Sequence, residues 1–424
     1  MTYGNIGAGW GSISRKLTQE QMQEIVEQAA QSLSRDLPFG ALRDRQKLTM
    51  LATKAIRDAI RTLNAPNPSQ PQMSQMVTQL VAKIGGMGFL DALMPPVSHE
   101  FTDIQLNGDG TIWVRRKGQL YFEVLEGVHP TQEEAWRAVE AILAPAGRAL
   151  TEATPSVDVK IPRDPSIEFG GARVKAIHPI VAVGEWPTLS IRMYEGKPVP
   201  PKKILEWNVM PDFVMDGLLK AVRNRLRVMV IGGTATGKTT LLSALCHGIE
   251  PQARIVTIED PQELWLPHAN VTTLEARPAP PGSTVPPYTI EDGVADAMRL
   301  SPTHLIVGEV RKGEAALSLF NAMMSDHAGL TTFHAESPEN AAFRLAVLMA
   351  ATEKRVQYSA GKGLFALAID LIVQVGFNPM TEKRQCMGVW EVEPELKHGE
   401  VRFRELWTPG KDEMLQPRRK RGAG

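Results

Sequence analysis

The segment Val228–Leu242, VMVIGGTATGKTTLL, has a residue spacing suited to phosphate chemistry. It fits the pattern G-x-x-x-x-G-K-[ST] of phosphate-binding loops. The positions that define the pattern are Gly232, Gly237, Lys238 and Thr239. Apolar residues before the loop, and at helical spacing after it, predict a strand, a turn and a helix. This context argues against a chance match in an ordinary Gly/Thr turn.

A loop of this kind turns successive backbone N–H groups inward, and the N-terminus of the following helix adds partial positive charge. A triphosphate fits such a cradle. Lys238 is expected to reach the β and γ phosphates, and the Thr239 hydroxyl is expected to hold Mg²⁺. The residues predicted to contact the nucleotide are Gly232, Gly233, Thr234, Ala235, Thr236, Gly237, Lys238, Thr239 and Thr240.

Acidic residues follow two of the predicted strands downstream of this loop. The segment EDPQE begins at the end of strand RIVTIE, and GEVR follows strand THLIV. Hydrolysis needs a metal ion and a group that activates water, and the carboxyl ends of parallel strands converge on a phosphate loop. We therefore expect Glu259, Glu263 and Glu309 near the nucleotide. Taken singly, each carboxylate would be an ordinary cap or surface residue.

Two histidines flank a third predicted strand, which ends in LTTFHA. His334 could sense the γ phosphate through a hydrogen bond. His327 lies seven residues earlier and is expected to support the same edge. The alternative for either residue is a histidine in the core or at the surface with no role in the chemistry.

The composition is that of a soluble globular protein: 43% of the 424 residues are hydrophobic and 22% are charged. Lys and Arg together number 47, as do Asp and Glu, so the net charge is zero and no field that attracts nucleic acid is expected. Cys246 and Cys386 predict reduced core thiols rather than a metal or disulfide framework. No apolar run is long enough to span a bilayer and no signal-peptide order is present, so a cytoplasmic location is expected.

The residue pattern divides the chain into four segments. Residues 1–95 predict a helical N-terminal extension with a capping pattern at Thr18 and Gln21; its apolar stripes suit core packing or a docking surface for a partner. Residues 96–200 predict an α+β domain that closes with the linker PVPP, and residues 208–410 predict an α/β domain. Residues 411–424 predict a basic disordered tail, with contact to acidic lipid or nucleic acid as the alternative.

The motifs GGTATGKTT, IEDPQE, LIVGEVR and LTTFHA, in this order, resemble the secretion ATPases of type II secretion, type IV secretion and pilus assembly. They are similar to that family's Walker A motif, Asp box, atypical Walker B motif and His box. The resemblance extends from Thr102 to Phe377. The segments Gly170–Val174, Ser190–Arg192 and Glu275–Pro278 resemble the branch that serves conjugation, type IV secretion and Tad-type pili.

This resemblance implies an α/β fold: a RecA-like P-loop NTPase domain preceded by an α+β N-terminal domain and a helical extension. It implies a homo-hexamer that binds ATP and Mg²⁺ between its two domains and hydrolyses ATP to power pilus assembly, secretion or conjugative transfer. The partners implied are inner-membrane platform or secretion-channel proteins, with the ATPase peripheral at the cytoplasmic face. No stable nucleic-acid complex is expected. Lys197–Trp207 is the expected hinge.

The resemblance also implies roles for individual residues. Lys238 and Thr239 would bind phosphate and Mg²⁺, and Glu309 would be the general base. Glu259 and Glu263 would help to hold the metal, and His334 would contact the γ phosphate. The arginines implied as phosphate contacts are Arg173 and Arg192 from the N-terminal domain, with Arg277 and Arg311 acting across a subunit boundary. The alternative for each arginine is a surface salt bridge.

One segment departs from the family pattern, because Ser325-Asp326-His327 stands where Thr-Gly-His is usual. The spacing from His327 to His334 matches the type II and pilus-motor branch, so the branch stays open. Two functional alternatives also stay open. One is a DNA-translocating ring ATPase, which the neutral charge disfavours. The other is a nucleotide-gated assembly switch with negligible turnover, which the strand-end carboxylates disfavour.

Overall fold

The computed structural model describes residues 17–36, 45–85, 87–279, 284–325, 327–352 and 356–421. The expectations for the Gly/Ser-rich residues 1–16 and for Asp326 lie outside the described residues. Two compact units are present. The first takes the described residues up to Val114, with Glu123–Ile161 and Arg173–Arg192. The second takes Arg115–Phe122, Pro162–Ala172 and the described residues from Met193 onward.

The first unit begins with three helices, α1 (Gln19–Asp36), α2 (Arg45–Thr62) and α3 (Gln70–Gly85). The predicted capping pattern is confirmed, because the Thr18 amide donates to Gln21 Oε1 and the Gln21 amide donates to Thr18 Oγ1. The apolar sides of the helices pack on one another through buried residues that include Ile25, Ile56, Met76 and Leu80. The predicted stripes therefore form a core. The helices belong to the same compact unit as the α+β sheet, so the boundary predicted at residue 95 does not separate two units.

The same unit carries a sheet whose described strands are ordered β3-β2-β1-β6-β5-β4. These strands are β1 (Phe101–Leu106), β2 (Ile112–Arg116), β3 (Glu123–Val124), β4 (Ser156–Ile161), β5 (Ala172–Ile177) and β6 (Thr188–Met193). Helix α4 (Gln132–Leu143) starts at a capping box formed by Thr131 and Glu134. The sheet and its helix confirm the α+β prediction for this part of the chain.

The second unit is built on a sheet with the described strand order β14-β13-β12-β7-β11-β10-β8-β9. Its strands are β7 (Val228–Ile231), β8 (Ile255–Glu259), β9 (Val271–Glu275), β10 (His304–Val310), β11 (Ala328–Phe333), β12 (Leu371–Phe377), β13 (Arg384–Val392) and β14 (Phe403–Trp407). The run from β12 to β9 is parallel, and β13 and β14 are antiparallel additions. This is the α/β architecture expected of a nucleotide-binding domain.

Helices cover both faces of this sheet, so strands such as β7 and β11 are buried throughout. The helices are α5 (Pro201–Glu206), α6 (Asp212–Arg223), α7 (Lys238–Leu245), α8 (Ile290–Ala297), α9 (Gly313–Met324), α10 (Pro338–Ala350) and α11 (Tyr358–Ala368). One hydrophobic core contains α6 and α7, and the other contains α9, α10 and α11. None of the helices in the described ranges combines the length and apolar character that a bilayer crossing needs.

The segment PVPP is not the linker that its prolines predict. Pro200 occupies the N-cap position and Pro201 the first turn of helix α5. Proline is compatible with a first turn because the N–H that it lacks has no partner within the helix. Val199 and Ile204 are buried in the core of the second unit, whose last and longest segment starts at Met193. The predicted boundary at residue 200 therefore lies too late in the sequence.

The basic tail was predicted to be disordered, but it makes defined contacts as far as Arg421. Arg419 and Arg421 both donate to the carboxylate of Asp370, which is fully buried just before β12. Burial raises the pKa of Asp370, but hydrogen bonds from Arg421, from the Arg227 amide and from Arg419 outweigh that effect and lower it. Arg419 and Arg421 also donate to carbonyls at the C-terminal end of α11. A buried anion and unpaired helix carbonyls thus attract the tail.

Removing both guanidinium groups should destabilise the second unit. The double variant R419A/R421A leaves the buried Asp370 carboxylate without these cations, so we expect the free energy of unfolding to fall by about 3–5 kcal/mol. Urea unfolding followed by tryptophan fluorescence measures the change. Arg418 and Lys420 are exposed in the same tail, and R418A/K420A is therefore the matched control. Equal midpoints for both double variants would contradict the structural role of the tail.

His304, the first residue of β10, predicts a loss of stability in mild acid. Burial, and then the charges of Arg225 and His268, lower its pKa from 6.5 to about 4. Below pH 6.5 the unfolded chain binds a proton that the folded chain rejects, so stability falls until pH reaches about 4, by on the order of 3 kcal/mol. We expect H304Q to flatten this part of the unfolding-versus-pH curve. The variant H398Q, which changes an exposed histidine, should leave the slope as it is.

Candidate nucleotide site

The predicted phosphate loop joins β7 to helix α7, as expected. Gly237 is the N-cap of α7 and has φ +92°, a conformation that favours glycine. A Cβ atom at Gly232 would lie 2.3 Å from the carbonyl oxygen of Val375 and 2.7 Å from Thr236 Oγ1. Both glycines are therefore required by the backbone itself. Thr239 and Thr240 lie in the first turn of α7.

Lys238 lies folded against the loop, with only 9% of the residue exposed. Its Nζ donates to the carbonyl oxygens of Gly233 (2.7 Å) and Gly232 (3.2 Å). The Thr236 hydroxyl donates to the same Gly233 carbonyl at 2.9 Å. An ammonium group on a flexible stem can exchange such carbonyls for a stronger acceptor. The arrangement thus fits a loop that receives an anion.

Register across the parallel strands places the other predicted residues at the same edge of the sheet. Ile231 pairs with Phe333, Phe333 with Val310, and Val307 with Ile258. The loop after β7, Glu309 in β10 and Glu259 at the end of β8 therefore lie within a few residues of one line across the sheet. A hydrogen bond of 2.7 Å from Thr332 Oγ1 to the Gly308 carbonyl links β11 to β10 there.

Glu259 belongs to the face of the sheet that carries α7. Side chains alternate along a strand, so Glu259 shares a face with Ile255, which packs in the core that contains α7. The pKa of Cys246, just after α7, is raised first by burial and then by the charge of Glu259. Glu259 is 2% exposed, and its Oε1 accepts from the amides of Glu263 (3.1 Å) and Leu264 (2.9 Å).

The glycine of the atypical Walker B segment has a steric reason. A Cβ atom at Gly308 would lie 3.0 Å from Glu259 Cγ and 3.2 Å from its Oε1. An aspartate at that position would crowd the buried carboxylate and add a like charge beside it. Glu259 from the neighbouring strand thus places its carboxylate beside the position where a Walker B aspartate would stand.

Glu309 and Arg311 form an ion pair in this structure, with Arg311 Nε 2.5 Å from Glu309 Oε2. The side chains are 26% and 54% exposed, so solvent screens the pair. Burial lowers the pKa of Arg311, but Glu309, followed by Asp260 and Glu263, raises it overall. The charges of three carboxylates therefore act on this guanidinium, which was predicted to act across a subunit boundary but contacts Glu309 of its own chain.

The predicted metal ligands do not form a cluster on their own. Within the described ranges, no group of three or more His, Cys, Asp or Glu side chains is placed to hold a metal ion. Mg²⁺ usually keeps several waters and takes one or two protein oxygens together with phosphate oxygens. Thr239 next to Lys238 and the carboxylates at the sheet edge supply oxygens of that kind. The donor set fits Mg²⁺ only in company with a bound phosphate.

The two histidines lie at opposite ends of β11, so the expectation that His327 supports the phosphate edge is wrong. A strand of six residues spans ~20 Å, and His327 precedes β11 whereas His334 follows it. The His327 carbonyl accepts from Arg227, which precedes β7. His334 is held by Arg344, which donates to its carbonyl oxygen and lies 5.4 Å from the centroid of the Phe333 ring.

Of the remaining predicted arginines, Arg173 and Arg192 belong to the first unit and Arg277 to the second. Arg173 in β5 and Arg192 in β6 are exposed residues of the first unit, and Arg173 pairs with Asp158 at 3.5 Å. The backbone of Arg277 pairs with Tyr288 at the base of the Pro-rich segment. Sequence reasoning missed Arg384, whose Nε donates to the Ala235 carbonyl of the phosphate loop at 3.0 Å. The two residues are 149 positions apart, and no local pattern indicates the contact.

Comparison with protein families decides the classification of this site. The family model described as Type II/IV secretion system protein matches residues 91–374. This chain belongs to that family. The match includes the phosphate loop, both acidic segments and the His box, and it extends into the first unit. Membership confirms the resemblance that the four motifs predict.

Individual members support the same classification. The chain is 29% identical over 282 residues to the probable conjugal transfer protein TrbB of Sinorhizobium fredii, covering 65% of this chain and 79% of TrbB. The X-ray structure of the Legionella pneumophila ATPase DotB matches with TM-score 0.51 and 20% identity, over 69% of this chain and 77% of DotB. The pilus retraction motor PilT, solved with bound ADP, matches with TM-score 0.51 and 18% identity, over 70% of this chain and 81% of PilT. The fold is that of RecA-like secretion ATPases with an N-terminal domain.

Proposed function

We propose that this chain is the subunit of an ATPase motor that hydrolyses ATP to power pilus assembly, protein secretion or conjugative transfer. The observation that carries the proposal is the shared sheet edge. The Lys238 loop follows β7, whereas Glu309 and Glu259 lie at the C-terminal ends of β10 and β8 in the same parallel run, and Glu259 is on the face that carries α7. A binding loop alone would not need two strand-end carboxylates. Family membership supports the same function.

The proposed chemistry assigns one task to each group. Lys238 exchanges the Gly232 and Gly233 carbonyls for the β and γ phosphates, where its charge stabilises the transferred phosphoryl group. Glu309 accepts a proton from the attacking water as general base. His334 donates a hydrogen bond to the γ phosphate, from a backbone that Arg344 fixes. Arg173 and Arg192 are proposed as further phosphate contacts on the family resemblance alone.

Magnesium is proposed to bind together with the nucleotide. Thr239 and Glu259 would hold it, with Glu263 nearby, and it would neutralise charge on the phosphate oxygens. What the chain itself contributes to the metal site is an acidic segment whose position is fixed. Glu259 Oε1 is fixed by two backbone amides, so the carboxylate is held in place without any ligand.

The proposed assembly is a hexamer at the cytoplasmic face of the inner membrane, bound to platform or secretion-channel proteins. The names of the relatives support this proposal: TrbB is called a conjugal transfer protein, and PtlH of Bordetella pertussis, 33% identical over 180 residues, is called a type IV secretion system protein. Size-exclusion chromatography with light scattering tests the hexamer.

Phosphate release separates this function from its two alternatives. We expect the purified protein to release phosphate from ATP when Mg²⁺ is present, to stop in EDTA, and to respond little to added DNA. Strong stimulation by DNA would favour a DNA-translocating ATPase. Nucleotide binding without phosphate release would favour an assembly switch.

A further inference from the structure

Arg384 contacts the phosphate loop from a part of the fold that none of the four motifs includes. It is the first residue of β13 and pairs with Phe377, the last residue of β12, at the base of a hairpin. Its Nε donates to the Ala235 carbonyl at 3.0 Å, and its guanidinium carbon lies 5.9 Å from the centroid of the Phe377 ring. The guanidinium group is therefore held between an aromatic ring and the loop.

The loop is strained at the residue that Arg384 contacts. Ala235 has φ +60°, a left-handed conformation that costs a non-glycine residue on the order of 1 kcal/mol or more. Such a conformation persists only where its surroundings enforce it. The hydrogen bond from Arg384 supplies that constraint from outside the loop.

The geometry of the peptide bond links this contact to phosphate binding. In a trans peptide the C=O and the following N–H point in opposite directions. A carbonyl of Ala235 that points toward Arg384 therefore turns the N–H of Thr236 away from Arg384. Amide groups turned inward are what a phosphate loop offers its ligand.

We propose that Arg384 is a positioning residue for the phosphate loop. By binding the Ala235 carbonyl, Arg384 holds this carbonyl outward, so that the Thr236 N–H faces the phosphates. This inference rests on the proposed ATP site and concerns how tightly that site binds nucleotide. The hairpin itself has other ties. Asn378 Nδ2 donates to Gln385 Oε1 at 2.7 Å, and Asn378 Oδ1 accepts from the Met380 amide at 2.8 Å. Loss of the arginine therefore leaves the turn bonded.

Arginine, lysine and glutamine at position 384 are expected to support nucleotide binding to different extents. Arginine donates from a planar group with fixed directions, whereas lysine keeps the charge without that geometry. Glutamine keeps a donor but loses the charge. Lys383, the exposed neighbour of Arg384, carries a charge at the same end of the hairpin. Replacing Lys383 therefore controls for a general electrostatic effect.

The test measures the binding of fluorescent ATP and ADP analogues, and phosphate release, for the wild type, R384K, R384Q and K383Q. We expect R384Q to weaken the binding of both analogues about tenfold, the usual effect of losing one charge-assisted hydrogen bond. KM for ATP should rise more than kcat falls, and the melting temperature should stay within ~2 °C of the wild type. R384K should recover part of the affinity, and K383Q should bind as the wild type does.

The outcomes separate this inference from the proposed function. If the wild type binds the analogues and R384Q binds them with the same affinity, the inference about Arg384 is overturned but the proposed function is not. Equal weakening by R384Q and K383Q would do the same, because it would indicate a general charge effect. A wild-type protein that binds neither analogue would overturn the proposed function and this inference together.

Discussion

Replacing Lys238 with alanine should lower the rate of ATP hydrolysis at least ~100-fold, since removing one preorganised donor from a charge-stabilising site typically costs that much. Lys238 is the buried cation of the loop, and in this structure its ammonium group is bound by two loop carbonyls. Alanine leaves no group able to follow the phosphates. The measurement is steady-state phosphate release at saturating ATP.

The matched control for this variant is K220A, which removes an exposed lysine from α6 of the same unit. K220A should keep wild-type turnover. Circular dichroism and thermal unfolding should show that K238A remains folded, because its lost bonds lie within the loop. If K238A hydrolyses ATP as fast as K220A, the assignment of the site to this loop is wrong.

Replacing Glu309 with glutamine should lower kcat ~100- to 10,000-fold while nucleotide binding persists, because an amide cannot take a proton from water as a general base does. Glutamine nearly preserves shape and leaves Arg311 without its partner charge. That ion pair is partly exposed and screened by solvent, so its loss should change stability by less than ~1 kcal/mol. Single-turnover phosphate release, together with nucleotide affinity, measures the effect.

Two further variants serve as controls for the prediction about Glu309. E339Q changes an exposed carboxylate in α10 and should turn over normally. E259Q changes the buried carboxylate and should raise the Mg²⁺ concentration needed for half-maximal turnover rather than remove the base. The role of Glu309 as base would be refuted if E309Q kept more than about a tenth of wild-type kcat while E259Q lost activity, given the size of general-base effects.

Elements with strong local patterns were predictable from the sequence. The strands Phe101–Leu106 and Thr188–Met193 lie within the segment predicted to be α+β, and alternation of apolar residues, which is a local signal, indicates such strands. The capping box of Thr131 and Glu134, at which helix α4 begins, is also a local signal because the motif is complete within four residues. The phosphate loop belongs to the same class of short-range signal.

Elements defined by distant partners were not predictable. Strand β9, VTTLE, has no fully buried residue and gains its identity only by pairing with β8. The sequence predicts a solvated tail because Asp370, the carboxylate that Arg419 contacts, is 49 residues away in the sequence. His327 was placed at the wrong end of its strand because the bounds of β11 decide which end faces the loop. Arg384 was missed for the same reason, since the backbone carbonyl that it contacts is 149 residues away in the sequence.

The central claim is that a triphosphate held by the Lys238 loop is cleaved with help from carboxylates at the same sheet edge. A structure of the protein with Mg²⁺ and a non-hydrolysable ATP analogue tests this most directly. We predict that Lys238 Nζ leaves the Gly232 and Gly233 carbonyls for the phosphates, and that the Glu309 carboxylate lies within one water of the γ phosphate. An analogue bound away from the loop, or a Glu309 carboxylate separated from the γ phosphate by more than a single water, would contradict it.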